Sequence, residues 1–154
     1  GIFAPVTGTE GDKGKEIYLT GNQTDIDGAQ VEADGRFHQN GQAVYKWALG
    51  TLTRELPRVV RENGFDLSEI SCFLPHSANY RMLEAAFKIM GIPMEKCSES
   101  VRKYANTSAA SIPLAWNEAL ENGKIGEGDI LALLGFGGGL TYAGLCVRND
   151  IARS

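Results

Sequence analysis

The sequence predicts an α/β domain in which helices pack against a mixed sheet. Segments with apolar residues every three or four positions alternate with apolar runs too short for a helix, and Gly, Pro and Asn stand between them. From residue 42 onward the predicted order is helix, strand, helix, strand, helix, strand, strand. Strands that alternate with helices are typical of a layered domain, and the two consecutive strands at the end make the sheet mixed.

The individual elements follow from the same patterns. Residues 1–36 are predicted to be a lead-in of loops and a hairpin, because Gly, Asp and Thr are frequent there and apolar runs such as Ile17–Leu19 are short. Helical periodicity then predicts an amphipathic helix over residues 42–63 with a kink at Pro57. The remaining predicted elements are a buried strand over 70–74, a helix over 79–90, a half-exposed strand over 98–104, a helix capped by Thr107 or Ser108 and reaching 122, and strands over 130–134 and 141–147.

Composition argues against several classes of protein. The chain has 154 residues, 43% of them hydrophobic, which is enough for one domain with a core. Its formal net charge of −4 gives no basic footprint for nucleic acid, and no apolar run approaches the ~20 residues of a transmembrane helix. Three cysteines without a CxxC pair argue against disulfides and a zinc site, and we therefore expect a cytoplasmic protein.

A histidine stands at the first strand-to-helix junction, in Leu74-Pro75-His76-Ser77-Ala78-Asn79. Side chains at the carboxyl end of a buried strand project into the crevice where α/β proteins bind ligands. A histidine after proline is equally compatible with a structural role, and the pattern alone leaves both interpretations open.

Asn106 stands at the next junction, in Asn106-Thr107-Ser108-Ala109-Ala110-Ser111. An asparagine before Thr-Ser is typical of a helix N-cap, which satisfies backbone amides without any catalysis. The other interpretation is that its side-chain amide and His76 form two fixed donors aimed at one oxygen.

A glycine run, Gly135-Phe136-Gly137-Gly138-Gly139, lies between the last two predicted strands. It does not fit a nucleotide-binding loop, because it lacks GxGxxG spacing, no Lys-Ser/Thr follows, and a strand comes next instead of a helix. A β-bulge or tight turn is one interpretation, and bare backbone beside a substrate is the other.

Together these three segments resemble the C-terminal half of β-ketoacyl-acyl carrier protein synthase III, a thiolase-fold condensing enzyme. The resemblance extends over residues 37–148. It implies that residues 37–154 are one half of a thiolase-like layered fold, with a mixed sheet and a buried central helix. The helix predicted over 107–121 suits that place, since it is apolar nearly all round. No segment resembles the nucleophilic cysteine of the family, which belongs to the N-terminal half.

The resemblance implies a catalytic role for each junction. His76 and Asn106 donate hydrogen bonds to the thioester carbonyl and stabilise the enolate that forms when a malonyl thioester loses carbon dioxide. By the same resemblance, the backbone amide of Gly138 would be one oxyanion-hole donor. The chain departs from the family pattern at two positions, with Ser77 where glutamine is usual and Ala105 where glycine is usual.

The resemblance also implies contacts with substrate and carrier. The residues implied to bind substrate are Phe136, Asn79, Asn40 and Gly41. Phe136 would pack beside the reacting thioester, and the segment after residue 38 would line the pantetheine tunnel. Arg81, assisted by Lys46, would face the acyl carrier protein. A polar loop and solvated surface charges are the plain alternatives for these last assignments.

None of the three cysteines suits the role of nucleophile. Cys72 precedes His76 by four residues on an apparent strand, which separates their backbones by ~13 Å. Cys72 and Cys146 are predicted to be small buried hydrophobes, and Cys97 follows a loop with no histidine near it in the sequence. The resemblance therefore implies an acyltransferase that is incomplete without a cysteine-bearing half.

That enzyme would catalyse the decarboxylative Claisen condensation of acyl-CoA with malonyl-acyl carrier protein in fatty acid or polyketide-like biosynthesis. Both thioesters are substrates, and no metal or redox cofactor is needed. The expected partners are the N-terminal half, a second copy of the complete unit, the carrier protein and CoA thioesters. A second hypothesis is a non-catalytic subunit of the same fold that binds acyl thioesters or supports a catalytic partner.

Overall fold

A four-stranded mixed sheet forms the centre of the computed structural model, which describes residues 1–21, 24–26 and 28–151. The strands in chain order are β1 (Val6–Thr9), β2 (Ile17–Leu19), β3 (Asp25–Ile26), β4 (Ala29–Gln30), β5 (Phe37–Gln39), β6 (Cys72–Pro75), β7 (Ile130–Gly137) and β8 (Thr141–Arg148). The central sheet has the order β1-β8-β7-β6, in which β6 and β7 are parallel and the other two pairs are antiparallel. The predicted mixed sheet is confirmed.

Helices cover both faces of this sheet. They are α1 (Gly41–Glu62), α2 (Tyr80–Met90), α3 (Val101–Tyr104) and α4 (Ser111–Glu121). Side chains of a strand alternate between its faces, so Phe73 packs with α1 and α2 while Cys72 and Leu74 pack with α4. The result is the layered α/β arrangement that the sequence predicts.

The long helix α1 confirms the prediction over residues 42–63. Asn40 caps it, because its side-chain Oδ1 accepts a hydrogen bond from the backbone N–H of Ala43 at 3.2 Å. The helix continues through Pro57, and its apolar face packs on the sheet and on α2. The buried residues of that face are Trp47, Ala48, Thr51, Leu52, Glu55, Leu56, Val59 and Val60.

The strand predicted over 98–104 is wrong. Only Cys97 makes a β-bridge, to Phe73, and the chain then turns into the short helix α3. Glu99 caps that turn, since its side chain accepts hydrogen bonds from the backbone N–H and the guanidinium of Arg102. The segment has only two apolar residues, Val101 and Tyr104, which set no clear period, and local side-chain hydrogen bonds favour a helical turn.

The helix α4 begins later than predicted. Residues Ser108–Ala110 form a 3-10 turn, and neither Thr107 nor Ser108 makes the capping hydrogen bond expected of it. Within this chain α4 buries one face, formed by Ser111, Ala115 and Ala119. Its other apolar side chains, including Trp116, are only half-buried.

The first 36 residues contribute more than loops. Strand β1 joins the central sheet by pairing with β8, while β2 pairs with β5 and β3 pairs with β4. Residues 22, 23 and 27 of the predicted lead-in, and 152–154 of the predicted half-domain, lie outside the described residues. Within the described ranges, no helix combines the length and apolar character that crossing a bilayer requires.

Candidate active site

A cleft of about 730 Å³ opens where β6 and β7 end. Because these two strands are parallel, their carboxyl ends meet at one edge of the sheet, which is where α/β proteins place their ligands. The lining residues are Ile17, Phe37, Gln39, Val44, Trp47, His76, Ala78, Asn106, Ser108, Ala109, Ser111, Ile112, Gly135, Phe136, Gly137 and Gly138. The three predicted catalytic residues are therefore brought together from three separate segments of the chain.

His76 is the first residue after β6. Its backbone N–H donates to the carbonyl of Leu134 at 2.8 Å, which extends the parallel ladder by one residue. Its ring packs edge-to-face on Phe136 at 5.0 Å between ring centres, and Nδ1 lies 2.6 Å from the Ser111 hydroxyl. Burial lowers the pKa of His76 from 6.5, so that the ring is neutral near pH 7.

Neutrality matters because a neutral imidazole has one N–H donor and one acceptor. Nδ1 is engaged by Ser111, and no other described residue makes a hydrogen bond to the ring of His76. Nε2 is thus the ring atom left for a ligand.

Asn106 is exposed and lines the cleft from the segment before α4. Its Oδ1 accepts a hydrogen bond from the backbone N–H of Ser108 at 2.9 Å. This hydrogen bond closes a local turn through the oxygen of the side-chain amide. The NH₂ group of the same amide remains available as a hydrogen-bond donor to a ligand. The helix N-cap interpretation is wrong, because the N-cap positions of the 3-10 turn and of α4 are Thr107 and Ala110. The donor interpretation stays a prediction.

The backbone before Asn106 is in a conformation that L-residues rarely adopt. Ala105 has φ 59° and ψ −160°, close to the region that glycine alone enters freely. The sequence places alanine at this point, and the structure retains the glycine-like backbone. A strained residue thus precedes one of the predicted donors.

The glycine run forms the end of β7 and the turn into β8. Gly139 needs to be glycine, because its φ is 134° and a Cβ would lie 2.6 Å from Cγ2 of Thr141. Gly138 has no such requirement, since a Cβ there would meet nothing nearer than the carbonyl of Ile17 at 3.7 Å. No contact with the described residues explains the missing side chain at Gly138, which is exposed at the cleft.

Phe136 contacts both the apolar side of the cleft and the ring of His76. It packs edge-to-face against Trp47 at 6.3 Å between ring centres, and against His76 on its other side. The sequence analysis missed Trp47, whose apolar spacing on α1 signalled only a core position. It also missed Ser111, whose one signal is that it is polar on a helix that is otherwise mostly apolar.

Three of the residues predicted to bind substrate lie at the N-termini of helices, and they do not line the cleft. Asn40 caps α1, Gly41 is the first residue of α1, and Asn79 caps α2 by accepting from the backbone N–H of Met82 at 3.2 Å. Their neighbours Gln39, Val44 and Ala78 line the cleft instead.

The two residues predicted to face a carrier protein lie on the surface. Arg81 is exposed in the first turn of α2, and Lys46 is exposed in the second turn of α1. Beside Arg81, the guanidinium of Arg102 stacks 4.4 Å above the ring of Tyr80. These positions are compatible with docking and with simple solvation.

The three cysteines are buried, which confirms the prediction made for Cys72 and Cys146. Burial raises the pKa of Cys72 and of Cys146 to about 11, and it also raises the pKa of Cys97. A thiol of this kind is protonated at neutral pH and does not act as a nucleophile. Within the described part of the chain, no group of three or more His, Cys, Asp or Glu side chains is placed to hold a metal ion.

The comparisons with known proteins agree with this arrangement. Residues 60–149 match the family model described as 3-Oxoacyl-[acyl-carrier-protein (ACP)] synthase III C terminal. Beta-ketoacyl-[acyl-carrier-protein] synthase III 2 of Bacillus subtilis (strain 168) is 42% identical over 148 residues, which are 96% of this chain and 46% of that protein.

Solved structures are similar as well. A β-ketoacyl-[acyl carrier protein] synthase III from Thermus thermophilus has a TM-score of 0.92 at 35% identity, over 97% of this chain and 46% of that one. The synthase III from Pseudomonas aeruginosa PAO1 has a TM-score of 0.84 at 28% identity, over 98% and 45%. The chain thus spans about half the length of these relatives. It belongs to the 3-oxoacyl-[acyl-carrier-protein] synthase III family, and it corresponds to that family's C-terminal part.

Proposed function

We propose that this chain supplies the decarboxylation and oxyanion groups of a condensing acyltransferase. The reaction is the decarboxylative Claisen condensation of acyl-CoA with malonyl-acyl carrier protein, in fatty acid or polyketide-like biosynthesis. The observation that carries the proposal is the convergence of a neutral histidine, an asparagine NH₂ group and bare glycine backbone on one cleft. Names of the relatives support the same reaction class.

The first step is loss of carbon dioxide from the malonyl thioester. The C–C bond to the carboxylate breaks, and its electron pair becomes the π-bond of an enolate whose charge lies on the thioester oxygen. His76 donates from Nε2 and Asn106 from Nδ2 to that oxygen. A neutral histidine suits this role, because its single N–H is held in place and no proton has to be gained or lost during the step.

The second step is attack of the enolate carbon on an acyl thioester. The carbonyl of that thioester becomes a tetrahedral oxyanion, to which the backbone N–H of Gly138 donates. The attack forms the new C–C bond. Collapse of the intermediate then restores the C=O bond and breaks the C–S bond, which releases the β-ketoacyl product and expels the thiolate that carried the acyl group. The chain requires neither a metal nor a redox cofactor for these steps.

The thiolate must come from another chain segment. The described cysteines are buried and protonated, so we assign the nucleophile to a cysteine-bearing N-terminal half. The half-buried apolar side chains of α4 form the surface on which that half would pack, and two complete units would form a homodimer. Acyl carrier protein would dock beside Arg81 and Lys46, and the assembly would act in the cytoplasm.

The test compares two half-reactions in the full-length protein that contains this chain. His76→Ala and Asn106→Ala should each lower the release of carbon dioxide from malonyl-acyl carrier protein by about 100-fold or more, while transfer of the acyl group from acyl-CoA stays near wild type. Two controls match the changes. His38→Ala removes the other histidine, which stacks on Tyr18 outside the cleft, and Asn117→Ala removes an exposed amide of α4.

The outcome separates the two hypotheses for function. Wild-type decarboxylation in His76→Ala or Asn106→Ala would reject the proposed roles. A wild-type protein that binds acyl thioesters but releases no carbon dioxide would favour the non-catalytic subunit.

A further inference from the structure

Three buried serines connect the segments that carry the cleft residues. Ser77 follows His76, Ser100 precedes α3, and Ser111 begins α4; each is at most 1% exposed. The hydroxyl of Ser77 accepts from the backbone N–H of Ser100 at 3.1 Å, and the hydroxyl of Ser100 donates to the carbonyl of Ser111 at 3.1 Å. We call these residues the serine cluster.

Ser111 is the member of the serine cluster that contacts the catalytic histidine. Its Oγ lies 2.6 Å from Nδ1 of His76 and accepts a hydrogen bond from the backbone N–H of Ser77 at 3.2 Å. The side chain of His76 is therefore held through a residue 35 positions later in the sequence.

The direction of the 2.6 Å hydrogen bond follows from counting protons. If Nδ1 carried the proton, Ser111 would accept from both Nδ1 and Ser77, and its own hydroxyl proton would have no acceptor among the described residues. A buried donor without a partner destabilises the folded state, because it has given up its hydrogen bonds to water. If Ser111 donates to Nδ1, all three groups are satisfied, and the ring proton must then be on Nε2.

We propose that Ser111 is a positioning residue that fixes His76 in the Nε2–H tautomer and aims this proton into the cleft. The inference rests on the proposed function, since it concerns the donor used there for decarboxylation. The lowered pKa of His76 supports it, because a tautomer is defined only while the ring is neutral.

The short Ser–His distance does not make Ser111 a nucleophile. A nucleophilic hydroxyl must reach the substrate carbonyl, and it donates its proton to the histidine that acts as base. Ser111 has 0% of its surface exposed, and its Oγ is engaged by two partners. Its contact with His76 therefore orients the ring.

The tautomer is measured directly by ¹⁵N NMR of the full-length protein with labelled histidine, using His76→Gln to identify the signals. In the wild type we expect Nε2 to have the shift of a protonated nitrogen and Nδ1 that of an unprotonated one. In Ser111→Ala we expect a mixture of both tautomers. A wild-type spectrum with the proton on Nδ1 would overturn the proposal without reference to any variant or to turnover.

Kinetics provide the second readout. Removing a residue that hydrogen-bonds to a metal-bound histidine and fixes its tautomer typically lowers activity by about 10- to 100-fold. By analogy, we expect kcat for decarboxylation to fall by that factor in Ser111→Ala, with KM for malonyl-acyl carrier protein unchanged. Ser100→Ala is the matched control, because it removes a buried hydroxyl of the same cluster that does not touch His76.

These experiments distinguish failure of the proposed role of Ser111 from failure of the proposed function. An equal loss of kcat in Ser100→Ala, or wild-type kcat and spectrum in Ser111→Ala, would reject the positioning role. If the wild-type protein shows the expected tautomer but releases no carbon dioxide, the proposed function fails and the assignment of the ring proton stands.

Discussion

Asn106, which lines the cleft, accepts a hydrogen bond from the backbone N–H of Ser108 through Oδ1 at 2.9 Å, and its NH₂ group makes no hydrogen bond to any described residue. The loop depends on the oxygen, and the proposed chemistry depends on the nitrogen. Aspartate has the same shape, but it keeps only the acceptor.

Asn106→Asp should therefore retain the fold and lose decarboxylation. We expect a melting temperature within experimental error of wild type, and a fall of about 100- to 1,000-fold in carbon dioxide release, because a donor to the enolate oxygen is replaced by a negative charge. Differential scanning calorimetry and a decarboxylation assay on the full-length protein measure the two quantities. Decarboxylation at the wild-type rate would leave Asn106 with a role in the local turn alone.

Ala105→Gly should stabilise the protein. The φ of 59° with ψ of −160° costs alanine about 1–3 kcal/mol, and glycine avoids most of this cost while losing more backbone entropy on folding. We expect a net gain of about 1 kcal/mol in the free energy of unfolding, measured by urea denaturation. Ala110→Gly is the control, because Ala110 is exposed and has an ordinary φ of −73°. The strain argument fails if Ala105→Gly is no more stable than that control.

Gly138→Ala should block condensation without unfolding the chain. A Cβ at this position meets nothing nearer than 3.7 Å, whereas a Cβ at Gly144 would lie 2.8 Å from the carbonyl of Leu133. We therefore expect Gly138→Ala to melt near wild type but to lose at least ~10-fold in condensation rate, because the methyl group occupies the approach of the thioester to the backbone N–H. Gly144→Ala should melt at a lower temperature. Wild-type condensation by Gly138→Ala would remove this amide from the mechanism.

His76 should make stability depend on pH in a defined direction. Its pKa is lowered in the folded state from 6.5, so below pH 6.5 the unfolded chain binds a proton that the native chain does not bind. The free energy of unfolding should thus fall as pH decreases from 6.5 toward the lowered pKa. His76→Gln should show a shallower decrease over this window than wild type in parallel urea titrations, and His38→Gln should retain the slope attributable to His76. Identical slopes in His76→Gln and wild type would contradict the assignment.

The sequence predicts most of the fold because its strongest signals are local. The periodicity of α1 and α2 and the buried runs of β6, β7 and β8 coincide with packing on the sheet, so pattern and tertiary structure agree. The segment over 98–104 was predicted wrongly because its two apolar residues, Val101 and Tyr104, are too few to set a period, and the hydrogen bonds from Arg102 to Glu99 favour a helical turn.

Only some of the residues of the candidate site could be predicted from the sequence. His76, Asn106 and Gly138 stand at junctions that the pattern locates, and the resemblance to the family named their roles. Ser111 and Trp47 could not be found in this way, because their contacts to His76 and Phe136 cross between separate elements. Asn40 and Asn79 precede helices, where capping is the common role of asparagine, and the structure gives them that role.

The pairing of β1 with β8 places a limit on when this site can assemble. Val6 pairs with Gly144, and Cys72 pairs with Leu131, so the central sheet joins residues that are far apart along the chain. Contacts of such long sequence separation form slowly, because the intervening chain must be ordered first. During synthesis, α1 and α2 can associate early, but β6 has no neighbouring strand until β7 has emerged from the ribosome. The sheet edge that carries His76 is therefore among the last parts of the molecule to be completed.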